Sequence, residues 1–394
     1  MPVPSFTKKV IGTVVNPTGP GAMNTFATAG DMNSDGWMDV VVCGRNGKMV
    51  WLENRGPGRP WVEHWIDEVS KMECGGSLID LTGNGYLDII NGSEAGHDEI
   101  YWWENPGPGK TGRWTRHLIA KTGLRQFHDT LVADVTNDGG LSLVFTNQIG
   151  GTNIYCVPIP SDPYLSPWPG LELIAEKMFE PNPDQRWNPE KIQPEEGLAV
   201  GDIDGDGKVE LVCGTHWYKY TGDPCQAWAK HRFTSGYLTT KVAIADVDGD
   251  GRQEILLSEG DPVIYGRKAG GRLAWFKPGA EITALWREHV IEDGLLDAHT
   301  LQAADLCGNG RMDLLVGEIG EAGEDDRYIT HPPRLMIYEN LGRGEFKRHI
   351  LDEGTGIHDG LLADFDNRGV LDIFGKPLHG PEKWNIHIYF RQVS

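Results

Sequence analysis

Three short stretches of the chain place oxygen-bearing side chains at alternate positions around a glycine. They are Asp31, Asn33, Asp35 and Asp39 in DMNSDGWMD, Asp202, Asp204, Asp206 and Glu210 in DIDGDGKVE, and Asp246, Asp248, Asp250 and Glu254 in DVDGDGRQE. A calcium ion needs several hard oxygen ligands, and a tight loop with alternate acids and a closing acid supplies them. A fourth stretch, DLTGNGYLD, offers a thinner set in Asp80, Asn84 and Asp88, with Thr82 at the third position. Three further copies begin at Asp134, Asp305 and Asp364 but depart from the pattern at Ser142, Cys307 and Arg368. At the last of these the guanidinium stands where it can replace an ion. The expectation is structural calcium at several loops; the alternative is acids that only cap turns by hydrogen bonding.

A second set of residues suits proton transfer. The residues six positions ahead of each first Asp are Thr25, Cys74, His128, Glu196, Thr240, His299 and His358, with Glu73, Asp129, Lys241 and Asp359 beside them. Histidine titrates near neutrality and can give or take a proton. His128, His299, His358, Lys241, His216 and His379 are therefore the candidate catalytic groups. Glu196, His97, Arg267, Glu259, Glu318, Lys376, Tyr265, Arg334 and Trp384 are candidates to contact a polar ligand. A second divalent cation where the histidines converge is a further expectation. The alternative is that the repeat reuses His at one position as a structural hydrogen-bonding residue. There is no G-x-S-x-G elbow and no G-x-G-x-x-G opening a helix.

The elements that must hold these groups follow from the repeat. The Asp-led loop recurs seven times, at spacings of 44 to 68 residues, which suits one four-stranded propeller blade plus loops. Each loop is preceded by an apolar strand and followed by another, such as VVVCG or ELVCG. An aromatic strand comes next (VWLEN, YWWEN, LAWFK, MIYEN) and then a fourth strand (WVEHWI, WTRHLI, WREHVI, FKRHIL). Each blade reads A–loop–B–C–D. The last repeat stops after strand C at WNIHIYF, while FTKKVI at 6–11 matches the fourth-strand pattern. The N-terminal strand is thus expected to complete the last blade and close the ring, leaving no exposed sheet edge. The reading is all-β: one seven-bladed β-propeller domain over 1–394. If the calcium loops lie on its lower face, the candidate catalytic groups are expected to ring a central funnel on the upper face. The long segment from Ile154 to Glu196 is expected to be a C–D region with an elaborated loop.

Composition narrows the partners. A net charge of −21 argues against nucleic acid, and no apolar run is long enough to span a membrane. Six Cys in a chain this long do not make a disulfide framework; Cys43 and Cys213, in matching apolar runs, read as buried fillers. The opening MPVPSFTKKVIG has no apolar core of an export signal. The expected location is cytoplasmic, or secreted or periplasmic if an export signal has been removed.

The loops and strands together resemble the FG-GAP/VCBS-repeat propellers, which implies calcium between strands A and B in a structural role. The YWWENPG element at 101–107 and the His ahead of strand A are similar to the propeller domain of aldos-2-ulose dehydratases. Polysaccharide lyases also include propeller families. That resemblance implies a carbohydrate-active lyase or dehydratase working by β-elimination, with His128, His299 and His358 as base and acid. Lys241, Lys376 and Arg267 would meet negative charge. The other class is a non-catalytic, calcium-dependent carbohydrate-binding or adhesion propeller. The upper-face residues differ from blade to blade, which favours one asymmetric central site.

Overall fold

The computed structural model describes residues 3–16, 22–68, 71–110, 112–149, 152–177, 196–263, 267, 269–320 and 331–392. Every regular element among them is a β-strand, and the strands sort into seven four-stranded antiparallel sheets. The innermost strands are Met23–Gly30, Met72–Ile79, Arg125–Ala133, Leu198–Gly201, Thr240–Ala245, Thr300–Ala304 and His358–Ala363. Each touches the next around the axis, and the seventh touches the first. This is the seven-bladed β-propeller that the repeat implies.

The middle of strand B is mostly apolar because both its faces meet other blades, so no strict alternation with polar residues is needed. Val40, Val41, Val42 and Cys43 are all fully buried, as are Leu211, Val212 and Cys213. Val40, Val42 and Leu52 of blade 1 pack on Phe365, Phe374 and Ile388 of blade 7. Leu256 and Trp275 of blade 5 pack on Leu314 and Tyr338 of blade 6. All six cysteines are free.

The ring closes as the ends of the sequence suggest. Phe6–Thr13 pairs antiparallel with Asn385–Arg391, from Phe6 opposite Arg391 to Thr13 opposite Asn385, and is the outermost strand of blade 7. Lys8 and Tyr389 then meet at Asp352 of blade 6. The Tyr389 hydroxyl donates to Asp352 Oδ2 at 2.6 Å, and Lys8 Nζ lies 3.4 Å from the same oxygen.

The segment from Ile154 to Glu196 differs in part from expectation. Strand C spans Thr152–Pro158 and strand D spans Glu172–Lys177, so residues 159–171 form the C–D loop. The stretch 178–195 joins strand D to the next blade and lies outside the described residues.

The Asn of the aromatic strand has a clear structural task. Asn105 Nδ2 donates to Leu87 O at 3.0 Å in its own blade and to Met32 O at 2.8 Å in blade 1. Asn54 and Asn340 make the same pair of bonds to their own and the preceding blade. Each is a polar staple between neighbouring sheets.

Candidate functional site

Strand A is bent where the candidate residues lie. Its pairing with strand B shifts register between Met23 and Phe26, between Met72 and Gly76, between Phe127 and Thr130, and between His358 and Leu361. A bulge of this kind re-aims side chains at the end of a strand, and here the re-aimed residues include Thr25, Cys74, His128 and His358. Gly75 makes the crowding possible: it has φ +69°, and a Cβ there would lie 2.1 Å from His128 O. Asp359 also sits in the left-handed region, at φ 53°, a strained backbone for a residue with a side chain.

The three histidines predicted from one repeat register come together. The His299 and His358 rings stack at 4.3 Å, and the His128 ring meets His299 edge-on at 5.5 Å. Glu196 Oε2 lies 3.3 Å from His128 Nε2, 3.6 Å from His299 Nε2 and 3.8 Å from Lys241 Nζ. Its other oxygen accepts the Gln148 amide. Asp129 Oδ2 is 3.1 Å from His128 Nδ1 and accepts Gly197 N–H at 3.0 Å. Asp261, from the B–C turn of blade 5, reaches within 3.8 Å of His299. On the other side, Lys376 Nζ donates to Asn24 O at 2.6 Å and to His358 Nδ1 at 3.1 Å, and the Cys74 sulfur is 3.6 Å from His358 Nε2.

The cluster is buried rather than lining an open mouth. His128, His299 and His358 are 4%, 2% and 2% exposed, because seven inner strands converge at the axis. Burial works against charge on all three, with different outcomes. The Glu196 carboxylate overcomes it at His128, whose pKa rises well above the ordinary imidazole value. Burial with the Lys241 ammonium holds His299 well below that value, and burial with Lys376 does the same to His358. Burial also pushes the Cys74 thiol up to about 12. Charge is thus favoured on His128 and disfavoured on His299 and His358.

The remaining upper-face residues are placed apart or engaged within their blades. Glu259 accepts Leu238 N–H and Arg272 N–H, both at 2.8 Å, and pairs with Arg267 at 2.5 Å. Glu318 repeats this with Leu296 N–H at 2.8 Å and a two-pronged Arg334 at 2.7 and 2.9 Å. These two acids hold their B–C turns. His97 lies 3.7 Å from Glu99 in a separate cavity of about 360 Å³ shared with Lys71, Tyr101 and Arg113. His216 sits 3.1 Å from Thr215 Oγ1 at the start of strand C in blade 4, and the Lys383 ammonium lies over the Trp384 ring. His379 is close enough to act on the charge of His358. Tyr265 lies outside the described residues. Sequence reasoning overlooked Asp261; its only signal was a place in the turn after Glu259.

On the lower face, the first Asp of all seven loops accepts the N–H of the glycine five residues on, as Asp31 does from Gly36 at 2.7 Å and Asp364 from Gly369 at 2.7 Å. Turn capping is therefore common to all. The closing acids differ. Asp39 accepts Met32 N–H at 3.0 Å and Asn54 N–H at 2.7 Å, and Asp88 accepts Leu81 N–H at 2.9 Å and Asn105 N–H at 2.7 Å. Glu210 Oε2 accepts Ile203 N–H at 2.8 Å and Asp204 N–H at 3.4 Å, Glu254 Oε2 accepts Val247 N–H at 3.0 Å, and the buried Oε1 atom of each makes no hydrogen bond. The acid triads Asp202, Asp204, Asp206 and Asp246, Asp248, Asp250 each converge closely enough to share a cation. In blade 7, Arg368 lies 2.6 Å from Asp366, as its place in the sequence suggests.

Two parts of the chain, residues 31–91 and 202–257, match the family model for the FG-GAP-like repeat. No curated protein matches the chain. A solved structure described as "Crystal structure of BBS1N in complex with ARL6DN, soaked with lead" overlays it with a TM-score of 0.49 at 12% identity. The match covers 100% of this chain and 99% of that one.

Proposed function

We propose that this seven-bladed propeller with FG-GAP-like repeats is a carbohydrate-active lyase or dehydratase whose chemistry takes place at the central histidine cluster. The observation that carries the reading is the convergence of His128, His299 and His358 with Glu196, Asp129 and Lys241 on the propeller axis. In β-elimination a base takes the proton next to a carbonyl or carboxylate. The electron pair left behind forms the double bond, and the leaving hydroxyl or alkoxide departs with a proton from an acid. A neutral imidazole at His299 or His358 suits the base, and the imidazolium at His128 suits the acid. The Lys241 ammonium supplies fixed positive charge for the enolate.

The same geometry supports a bound divalent cation. Glu196 Oε2 is buried without a hydrogen bond, and with His299 and His128, the latter then a neutral ligand in place of its role as acid, it forms a compact donor set of two imidazoles and one carboxylate. Such an ion would polarise the substrate carbonyl, leaving Lys241 and His358 to position and exchange protons. The lower-face loops are assigned to structural calcium. Asp31, Asn33, Asp35 and Asp39, the Asp202 set and the Asp246 set form the full sites; Asp80, Asn84 and Asp88 form a thinner one. The buried Oε1 atoms of Glu210 and Glu254, which make no hydrogen bond, favour this at blades 4 and 5.

The test is a screen of uronic-acid polymers and keto-sugars for new ultraviolet absorbance from an unsaturated product. With a substrate in hand, His128→Ala, His299→Ala and His358→Ala should each lower turnover by about a hundredfold or more. Near-normal turnover in all three, with the fold intact by circular dichroism, would leave the cluster as scaffolding and favour a carbohydrate-binding module.

A further inference from the structure

One position at the end of strand C carries opposite charge in different blades. It directly follows the residue paired with the first apolar residue of strand B: Leu52 with Val40, Trp103 with Ile89, Tyr218 with Leu211, Phe276 with Ile255 and Tyr338 with Leu314. The next residue is Glu53, Glu104 and Glu339 in blades 1, 2 and 6, but Lys219 and Lys277 in blades 4 and 5.

The glutamates turn outward to histidines of strand D: Glu53 to His64 at 2.8 Å, Glu104 to His117 at 3.4 Å and Glu339 to His349 at 2.9 Å. The lysines turn down into the loops. Lys219 Nζ donates to Asp204 and, at 2.6 Å, to Asp206, and lies 3.4 Å from Glu210 Oε1. Lys277 Nζ donates to Asp248 and, at 2.7 Å, to Asp250. The charge at this position tracks the loop it faces. The two lysine blades have four acids at the ligand positions, whereas blade 1 has three and blades 2 and 6 have two each.

We propose that Lys219 and Lys277 are built-in cations that compete with a divalent metal ion for the loops of blades 4 and 5, each loop holding either the ammonium or the metal. An ammonium has three N–H donors on a flexible stem, and calcium gathers more oxygens at shorter range. The ammonium underfills its loop. Glu210 Oε1 and Glu254 Oε1 are left without a hydrogen bond although their residues are 1% and 0% exposed. In blade 5 the strand residue that satisfies Asp39 through its N–H in blade 1 is Pro278, which has none. A metal ion would take up that orphaned oxygen. The lysine can withdraw to water, since the Lys219 and Lys277 side chains are already 28% and 33% exposed.

The inference rests on these loops being cation sites and is independent of the chemistry at the axis. It is tested by calorimetric calcium titration of the metal-free full chain and of Lys219→Met and Lys277→Met. Each substitution should tighten calcium at one loop by about tenfold or more, because one repelling charge is gone. Without calcium each variant should melt below the parent, and added calcium should restore the loss. Calcium uptake with equal or weaker affinity in the variants would overturn the competition and leave the cation-site reading standing. No uptake by parent or variants would overturn both. Lys219→Gln, which keeps hydrogen-bond donors and removes the charge, gives the same comparison if a methionine variant does not fold.

Discussion

At the residue scale, the central cluster is a set of charges held in place by one another. Lys241 lies 3.7 Å from Asp129 and 3.8 Å from Glu196, and all three are buried or nearly so. Removing one partner of a buried pair strands the other, at a cost of about 3–5 kcal/mol. Lys241→Met should therefore lower unfolding free energy by about that amount in denaturant titration. Loss of less than about 1 kcal/mol would show that water or a bound ion already screens Asp129 and Glu196. The register of His128, His299 and His358 was legible because a fixed count back from each loop finds the same turn of each blade. Their burial was not, because spacing along one strand does not say how closely seven strands converge. Nor was the saturation of Glu259 and Glu318, whose partners come from two further segments of chain.

At the element scale, blades are joined by apolar layers and by the asparagine staples. Asn105 holds two buried carbonyls, one in each of two sheets. Asn105→Ala leaves both without a donor and should destabilise the protein by about 1–3 kcal/mol, read from the chemical denaturation midpoint. Asn105→Asp keeps the shape but loses the donors, so it should be no better; full stability in either variant would show that the apolar layers alone set the spacing. The strand order was legible from alternating loops and apolar runs, and the Asn of each E-N pair was visible as a repeat. Its staple role was hidden, since the second carbonyl belongs to the previous blade. Lys219 and Lys277 escaped notice for a similar reason: the loops they enter lie one strand back, and the pattern of each loop is complete without them.

At the scale of the whole molecule, stability depends on the seam between blade 7 and the first strand. Deleting residues 1–13 would expose the backbone edge of Asn385–Arg391, and an unpaired edge invites association. The truncated protein should aggregate or elute as oligomers in size-exclusion chromatography; a stable monomer with the parent's melt would rule out closure as a requirement. The seam should also weaken in acid. Burial pushes Asp352 up, but Thr355, Tyr389 and Lys8 outweigh it and hold its carboxyl below the usual value. A lowered folded pKa gives stability that is fully present above the ordinary carboxylate range and is lost as pH falls through the folded value. Asp352→Asn should flatten that acid-side loss in melts recorded against pH, and an unchanged pH profile would place the acid sensitivity elsewhere. The closing pair also has a consequence in time. Thr13 and Asn385 bond across 372 residues of chain. At the usual pace of synthesis, the first strand emerges from the ribosome roughly 20–80 s before its partner exists. During that interval it must stay soluble alone, and its sequence suits the wait: FTKKVIGT sets Lys8 and Lys9 at its centre, the charges that keep a waiting strand from pairing with the wrong neighbour.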